Sequence, residues 1–333
     1  MAQHSQLRIG LLGAARIAPV ALIQPAQLVP DVQIAALAAR DQARAEAFAA
    51  QYHIPQIHNS YAALLDDPTI DAIYNPLPNS FHYAWTVRAL RAGKHVLCEK
   101  PIAANATEAA AMVKVAQETG RVLMEAFHYR YHPLLSRAKA LLDSGELGAL
   151  RHIEAKFCTL LLRQNDIRYR YDLAGGATMD LGCYTVNLIR YLAGAEPTVV
   201  RAQAKLAAPQ VDRSMEADFR FPNGCTAHIL NSFLSPNLIR ITAKAICERG
   251  ELYILNPFVP HRLHWLTVRT AAGKRRERFP GETTYTHQLR AFVQAVRGEA
   301  TIPTDGVDGV ANMRVIDAIY EKAGLKLRGT RTA

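Results

Sequence analysis

The sequence predicts an α/β protein of two domains, with a doubly wound parallel sheet first and an α+β domain with a large, mostly antiparallel open sheet second. A chain of 333 residues has room for about two domains. Up to residue 126, short apolar runs alternate with helical patterns, which is typical of βαβ units. Beyond residue 150, strand-like segments follow one another with turn signals between them.

Strands and helices are expected to alternate in the first domain. Short apolar runs predict strands at residues 7–12, 32–38, 70–74, 95–98 and 121–126. Apolar residues at helical spacing predict helices at residues 16–28, 42–52, 80–92 and 107–119. Gly93 and Gly120 follow the last two of these helices, where glycine commonly ends a helix.

The second domain is expected to be dominated by strands. They are predicted at residues 151–162, 198–207, 214–221, 225–233, 239–248, 251–255 and 264–270. Turn signals at 222–224 (Pro-Asn-Gly) and at 249–250 (Arg-Gly) favour antiparallel connections. Helices are expected at residues 177–192, 285–296 and 307–323.

The chain carries a formal net charge of +10, from 39 basic and 29 acidic residues. Its densest basic run, residues 274–278, is interrupted by Glu277 and follows a predicted turn. Such a run is more typical of a charged strand edge, which discourages aggregation, than of an element that reads DNA. We therefore expect no specific nucleic-acid partner.

Metal, disulfide and membrane functions are not indicated. The five cysteines are widely spaced and form no CxxC pair, and His128 and His132 lack further ligands at suitable spacing, so no metal site is expected. No apolar run approaches the ~20 residues that cross a bilayer. The polar N-terminus has no signal-peptide pattern, so we expect a cytoplasmic protein without a membrane partner.

A glycine turn follows the first predicted strand. Backbone N–H groups in such a turn, at the mouth of a helix, can face a pyrophosphate. We expect the cofactor here to contact Gly13, Ala14, Ala15, Arg16 and Ile17. The pattern G-x-G-x-x-A would be Gly13, Ala15 and Ala18, so an alanine stands where the second glycine normally permits close approach to the phosphates.

The second predicted strand ends in Arg40 and Asp41. A carboxylate at this place usually binds the ribose hydroxyls of NAD, whereas an arginine can pair with the 2′-phosphate of NADP. Arg40 favours NADP over NAD. The alternative is an ordinary exposed arginine at the start of a helix.

Lys100 follows a predicted buried strand and precedes Pro101. A proline favours an extended backbone in the residue before it, here Lys100. Taken alone, it could be half of an ordinary strand-end charge pair. However, residues 92–101 (Ala-Gly-Lys-His-Val-Leu-Cys-Glu-Lys-Pro) closely resemble the A-G-K-H-V-x-C-E-K-P signature of the glucose–fructose oxidoreductase, inositol dehydrogenase and rhizopine catabolism (GFO/IDH/MocA) family. Residues 10–18, 71–82, 125–133 and 175–184 also match that family in order and spacing, so the resemblance covers nearly the whole chain.

The resemblance implies a Rossmann domain, residues 1–126, and a domain for substrate binding and oligomerisation, residues 127–333. It also implies homo-dimers or homo-tetramers built through the open sheet, and a Lys100–Pro101 bond that can be cis. The cofactor would be contacted by Pro76, Leu77, Asn79, His82, Glu99, Lys100 and Arg168.

The resemblance further implies that Lys100, Asp180 and Tyr184 are catalytic. Asp180 and Tyr184 have the i, i+4 spacing that puts two side chains on one helical face, with Asn187 one turn later as a weaker candidate for substrate contact. Tyr184 stands where many family members have histidine, which is similar to the branch of dimeric dihydrodiol dehydrogenase and certain xylose dehydrogenases.

A free tyrosine has a pKa near ~10, and a neighbouring ammonium lowers the pKa of a phenol. We therefore expect an NAD(P)-dependent dehydrogenase of a sugar, polyol or cyclic diol, with Tyr184 moving the hydroxyl proton and Lys100 assisting. The alternative is a regulator that senses the dinucleotide on the same fold without catalysis.

Overall fold

The computed structural model describes residues 6–163, 165–235 and 239–329. Contacts between its Cα atoms separate two compact units. The first unit comprises the described residues up to His128 together with Tyr285–Val310, and the second comprises Tyr129–Thr284 and Ala311–Gly329. The chain thus returns to the first unit near its end, instead of crossing once after residue 126. The assignment of nucleotide and substrate binding to residues 1–126 and 127–333 stays a prediction.

A parallel sheet of six strands, counted within the described residues, lies in the first unit. Its order is β3-β2-β1-β4-β5-β6, and the neighbouring strands are parallel throughout. The central strands are almost entirely buried, as expected for a sheet covered on both faces. The strands are β1 (Leu7–Leu12), β2 (Val32–Ala38), β3 (Gln56–His58), β4 (Ala72–Asn75), β5 (His95–Cys98) and β6 (Leu123–Glu125).

Helices connect these strands, and their ends follow their capping residues. Asp41, Ser60 and Asn105 each accept a backbone N–H bond at a helix N-terminus, and Gly120 ends a helix with φ of +64°. The helices are α1 (Gln24–Gln27), α2 (Gln42–Tyr52), α3 (Tyr61–Asp66), α4 (His82–Arg91) and α5 (Ala106–Thr119). A π-helical turn, Pro19–Ile23, precedes α1, so the first helical segment begins at Pro19 and not at residue 16.

The second unit contains the predicted large sheet, with eight strands within the described residues in the order β14-β13-β12-β11-β7-β10-β9-β8. Its pairs are antiparallel except β7 with β10. The strands are β7 (Leu150–Cys158), β8 (Thr198–Ala208), β9 (Val211–Arg220), β10 (Thr226–Ser232), β11 (Arg240–Cys247), β12 (Gly250–Leu255), β13 (Trp265–Thr270) and β14 (Gly273–Glu277). The fold class is confirmed, and the basic run forms an edge strand, β14, as expected.

One face of this sheet is covered by a helical segment that is central to the site. A π-helical turn, Thr178–Gly182, leads directly into α7 (Cys183–Ala193), which follows α6 (Pro133–Asp143) along the chain. Residues 181–190 of this segment are all buried, because α7 packs on β7 and β10. The catalytic candidates Asp180 and Tyr184 are therefore carried by a firmly packed element.

Two helices close the chain, α8 (Thr284–Val296) and α9 (Gly306–Lys322). Before α9, the chain pairs with the edge strand β6 through an antiparallel bridge between Met124 and Asp305. The backbone N–H of Glu125 donates to Thr304 O at 2.8 Å, and the Thr304 hydroxyl donates to Glu125 O at 2.8 Å. Among the described residues, no helix combines the length and apolar character that crossing a bilayer requires.

His95, at the start of β5, makes the stability of the first unit depend on pH. Its Nδ1 accepts the N–H of Val122 at 3.0 Å. Burial, reinforced by the positive charge of Arg121, lowers the pKa of His95 to about 4. Between about pH 4 and the unfolded histidine pKa of about 6.5, the unfolded chain binds a proton that the folded chain does not.

We therefore expect the free energy of unfolding to fall as the pH drops from about 6.5 to about 4. His95→Gln removes this titration and should make the dependence shallower, measured by urea unfolding at several pH values, and the remaining slope is expected from His82, whose pKa is also lowered to about 4. His53→Asn is the matched control, because His53 is exposed and asparagine also tolerates its left-handed backbone. A dependence equally steep in His95→Gln would contradict the assignment.

Candidate active site

The loop after β1 is built from small residues. Gly13 has φ of +84°, which favours glycine, and a Cβ there would lie 3.2 Å from a methyl carbon of Leu77. Gly13 donates its N–H to Ala38 O at 2.7 Å, so the loop is fixed to the end of β2. Gly13 and Ala14 are buried, whereas Ala15, Arg16 and Ile17 are partly or fully exposed just before the first helical segment. This small-residue loop at a helix start fits the pyrophosphate of a dinucleotide.

Two arginines lie beside this loop. The Arg44 guanidinium donates to Ala14 O at 2.7 Å. Burial raises the pKa of the Tyr61 phenol, and the positive charges of Arg40 and Arg44 lower it. The effect of burial is larger, so the pKa of Tyr61 lies above its usual value. Asp41 uses Oδ1 to accept the N–H of Arg44 at 3.0 Å and so caps α2. The nearby positive charge suits a phosphate, and the Asp41 carboxylate is engaged in capping.

The loop after β4 is held by buried polar groups that sequence reasoning missed. Asn75 is fully buried, and its amide donates to the Thr86 hydroxyl at 3.1 Å and to His82 O at 3.3 Å. Leu77 N–H donates to Asn75 Oδ1 at 3.4 Å. Pro76 is buried, and Leu77 and Asn79 are half-buried. The sequence signals for this arrangement were an asparagine at the end of an apolar strand and its place in the family-like stretch 71–82.

His82, predicted to contact the cofactor, is fully buried. Its two ring nitrogens lie 2.8 Å from Pro101 O and 2.7 Å from Leu77 O. Burial lowers the pKa of His82 to about 4, with a smaller effect from Lys100 in the same direction. The ring is therefore neutral near pH 7, and its single N–H can donate to one of the two carbonyls. His82 links the loop after β4 to the segment after β5.

Lys100 lies in that segment, half-buried, two residues after the end of β5. The Lys100–Pro101 peptide is cis, as the resemblance implied. Glu99 donates its N–H to Asn75 O at 3.0 Å, and its Oε2 accepts the Lys100 N–H at 3.3 Å. Glu99 Oε1 accepts the hydroxyl of fully buried Tyr74 at 2.6 Å, and burial together with Glu99 raises the Tyr74 pKa well above its usual range. The backbone of Lys100 is thus held by Glu99, which is itself bonded to Tyr74 and Asn75 of β4.

In the second unit, Arg168 and Asp180 form an ion pair. Arg168 Nε donates to Asp180 Oδ2 at 2.8 Å, and Nη1 donates to Asp166 Oδ1 at 3.1 Å. The two carboxylates, Asp180 foremost, raise the pKa of Arg168 despite its burial. Asp166 was not predicted; it also caps the short turn that carries Arg168. The side chain of Arg168 is therefore held in one place by two acids.

Tyr184 belongs to an aromatic cluster formed with Tyr129, Phe157 and Phe258. The Tyr184 ring centroid lies 5.7, 5.5 and 5.4 Å from those of Tyr129, Phe157 and Phe258, respectively. Such separations are typical of favourable aromatic packing. Tyr184 keeps 7% of its surface exposed, whereas Tyr129 and Phe258 are fully buried. The cluster thus fixes the ring of Tyr184 by packing against three aromatic neighbours.

Asn187 lies in the interior. It is fully buried, and its Oδ1 accepts the hydroxyl of Tyr129 at 2.7 Å and the guanidinium of Arg130 at 3.0 Å. The Arg130 guanidinium also stacks 3.9 Å from the ring centroid of Tyr191. These contacts tie the 128–131 turn to α7.

The predicted site residues divide between the two units. The first carries the Gly13–Ile17 loop, Arg40, Pro76, Leu77, Asn79, His82, Glu99 and Lys100, and the second carries Arg168, Asp180 and Tyr184. Across residues 6–163, 165–235 and 239–329, no three His, Cys, Asp or Glu side chains are grouped to hold a metal ion, and all five cysteines are free and buried.

Two family models match the chain. Residues 7–127 match the GFO/IDH/MocA oxidoreductase family with an NAD-binding Rossmann fold, and residues 135–253 match a GFO/IDH/MocA C-terminal domain. Among curated proteins, D-xylose 1-dehydrogenase (NADP(+)) 2 of Haloferax volcanii is 38% identical over 95% of this chain and 97% of that protein. A dTDP-3,4-didehydro-2,6-dideoxy-α-D-glucose 3-reductase of Saccharopolyspora spinosa is 32% identical over 96% of each chain.

Among solved structures, the 3-ketoreductase KijD10 of Actinomadura kijaniata, in complex with NADP and TDP-benzene, superposes with a TM-score of 0.88 at 28% identity, over 99% of this chain and all of the other. KijD10 has also been solved as variants that replace a tyrosine by phenylalanine or a lysine by alanine or glutamate. The family models and the relatives together span nearly the whole sequence. This chain belongs to the GFO/IDH/MocA family and is an oxidoreductase with an NAD-binding Rossmann fold.

Proposed function

We propose that this chain transfers a hydride between NADP and a carbinol or carbonyl carbon of a sugar or polyol, with Tyr184 as proton donor or acceptor and Lys100 assisting. The observation that carries the proposal is Tyr184, a largely buried tyrosine held by an aromatic cluster on the same helical segment as Asp180. We assign nucleotide binding to residues 1–126 and substrate binding to residues 127–333.

The residues have separate tasks in this proposal. When bound, the nicotinamide supplies the site that accepts or gives the hydride. Tyr184 moves the hydroxyl proton, and the positive charge of Lys100 favours the phenolate form of a tyrosine. Asp180 binds Arg168, which limits the mobility of both side chains. Pro76, Leu77, Asn79, Glu99 and Arg168 are proposed as cofactor contacts.

NADP is favoured over NAD by the groups at the end of β2. Arg40 and Arg44 place two guanidinium charges near the Gly13 loop, and Asp41 is occupied as a helix cap. The similar xylose dehydrogenase is named for NADP(+), and the similar ketoreductase was solved with NADP. These observations agree with the preference expected from Arg40.

The sugar class rests on the relatives, which are named for D-xylose and for a dTDP-linked keto sugar. We favour a free aldose or polyol, in line with the more similar xylose dehydrogenase. A regulator without catalysis is not favoured, since these relatives are named as dehydrogenases and reductases.

Tyr184→Phe should reduce turnover by at least ~100-fold, because it removes the group that transfers the proton. NADPH binding should stay close to that of the unchanged protein. The measurement is nicotinamide absorbance with NADP+ and D-xylose, extended to other aldoses and polyols and, in the reducing direction, to dTDP-linked keto sugars.

Tyr191→Phe is the matched control, because Tyr191 lies on the same helix and its hydroxyl makes only a 3.4 Å contact with Leu135 O. It should keep most of the activity. Undiminished turnover in Tyr184→Phe would remove Tyr184 from the mechanism.

Arg40→Gln should weaken NADPH binding about 10- to 100-fold, because a charged hydrogen bond to a phosphate contributes about 1.5–3 kcal/mol. NADH binding should change little, since NADH lacks the 2′-phosphate. Fluorescence titration with both cofactors measures the difference, and Arg91→Gln, an exposed position in the last turn of α4, serves as control. Equal losses for NADPH and NADH would refute the role of Arg40.

We also propose that a second copy of the chain covers the open face of the eight-stranded sheet. The charges on this face are paired with one another: Lys244 with Glu251 at 2.7 Å, and Lys156 with Glu154 at 3.0 Å. Paired charges cost less to bury than isolated ones. Leu230, in the middle of β10, lies on the same face.

Light scattering after gel filtration should give the mass of a dimer or tetramer. Leu230→Arg should shift the protein toward the monomer, because association would bury an unpaired charge in the interface between the two copies. Leu263→Arg, an exposed position outside the strands, should not. A monomer for the unchanged protein at assay concentration would rule the interface out.

A further inference from the structure

A fully buried carboxylate lies behind the start of the helical segment that carries Asp180 and Tyr184. Asp212, the second residue of β9, is completely buried. Its Oδ2 accepts both the N–H and the hydroxyl of Thr178 at 2.7 Å. Its Oδ1 accepts the hydroxyl of Tyr320 at 3.0 Å and Nη2 of Arg328 at 3.2 Å. Asp212, a residue of β9, therefore caps the start of the helical segment, and its carboxylate accepts four hydrogen bonds in all.

Arg328, close to the end of the described chain, balances this charge. Its side chain is fully buried, its Nη1 donates to Lys326 O at 2.9 Å, and its Nε donates to Gly175 O at 3.2 Å. The guanidinium lies 3.7 Å from the ring centroid of Tyr320. Asp212, Thr178, Tyr320 and Arg328 are called the Asp212 cluster below. An arginine so buried and so fully hydrogen-bonded can hardly move without breaking several bonds at once.

Two glycines connect the cluster to the loop that carries Arg168. At Gly176, with φ of +136°, a Cβ would overlap Asp212 Oδ1 and lie 2.8 Å from the Tyr320 hydroxyl. At Gly175, a Cβ would lie 2.5 Å from Arg168 O. Gly176 donates its N–H to Arg168 O at 2.8 Å, and Asp180 donates its N–H to Gly176 O at 3.0 Å. The backbones of Arg168 and Asp180 thus meet at a glycine that contacts the cluster.

We propose that the Arg328–Asp212 pair is a positioning element for the reaction, through which the C-terminal segment at residues 325–329 sets the placement of Asp180, Tyr184 and Arg168. The inference rests on the function proposed above and extends it to residues that contact neither substrate nor cofactor. Arg328 holds Gly175 and Asp212, Asp212 holds Thr178, and Thr178 opens the segment with Asp180 and Tyr184.

The proposal follows from the geometry of the turn. The segment starts as a π-helical turn, where the regular hydrogen bonding of an α-helix is interrupted, so its first N–H depends on a partner outside the helix. Asp212 is that partner for Thr178. Without Arg328, an uncompensated buried carboxylate would remain, and it would recruit water or move. Either change would displace the start of the segment, and with it Asp180 and Arg168.

Arg328→Gln should lower kcat for the sugar roughly 10- to 100-fold, the range expected when catalytic groups are misplaced by about 1 Å. NADPH affinity should fall much less than kcat, because Arg168 is the one proposed cofactor contact that lies in the second unit and the others lie in the first. Arg328→Lys should give an intermediate kcat, since an ammonium keeps the charge but not the forked hydrogen bonds. The exchange of backbone amides in residues 176–184, followed by mass spectrometry, should be faster in Arg328→Gln.

Arg170→Gln is the matched control. Arg170 forms an exposed ion pair with Asp172 at 2.6 Å near the same glycines, so it tests the loss of an arginine without the buried cluster. It should leave kcat and amide exchange unchanged. If Arg328→Gln does not fold, Arg328→Lys tests the proposal through the same two measurements, kcat and the amide exchange of residues 176–184.

The proposal is overturned if the folded variant keeps both kcat and the exchange of residues 176–184, or if NADPH affinity falls as much as kcat. The second outcome would mean a general loss of stability. If the unchanged protein turns over no sugar, the function proposed above fails, and the exchange of residues 176–184 still decides whether the Asp212 cluster holds the helix.

Discussion

The start of the helical segment that carries Asp180 and Tyr184 is held by one interaction, that of the buried carboxylate of Asp212 with four hydrogen-bond donors. Burying a charge is costly unless it is paired and hydrogen-bonded, and here a buried arginine and two hydroxyls meet that condition. In the first unit, the buried polar group next to the proposed catalytic residue is uncharged, so no charge has to be compensated. Burial keeps His82 uncharged near pH 7 between two backbone carbonyls, next to the segment that carries Lys100. Each unit thus positions its proposed catalytic group through a fully buried polar side chain.

Local signals predicted most of the fold, because most strands and helices longer than about one turn carry their own pattern. The strand at 95–98 and the helix stop at Gly120 were predicted to the residue. The elements missed are α6, with eleven residues, and the shorter β3 and α3, with three and six residues, where periodicity carries little information. The first helical segment begins later than predicted because residues 15–17 form the turn and Pro19 starts the helix.

The site was predictable where a motif names the residue and unpredictable where tertiary packing selects it. Lys100 and Tyr184 stand within recognisable motifs. Asp212, Arg328 and Phe258 do not, because each contacts residues far away in sequence and looks in the sequence like an ordinary strand, tail or loop residue. For Asn187, helical spacing suggested a substrate contact, but spacing alone does not distinguish a cleft from the interior, where its Oδ1 is occupied.

The return of Tyr285–Val310 to the first unit has a consequence for biosynthesis. The bridge between Met124 and Asp305 covers β6, so the edge of the parallel sheet is completed by residues far downstream. Because synthesis runs from the N-terminus, the ribosome makes all eight strands of the other sheet before it makes the residues that pair with β6. Until then, the β6 edge is available for pairing with another chain, which is the usual route to aggregation for incomplete sheets. The synthesis of residues 127–310 is therefore the interval in which the β6 edge lacks its partner strand.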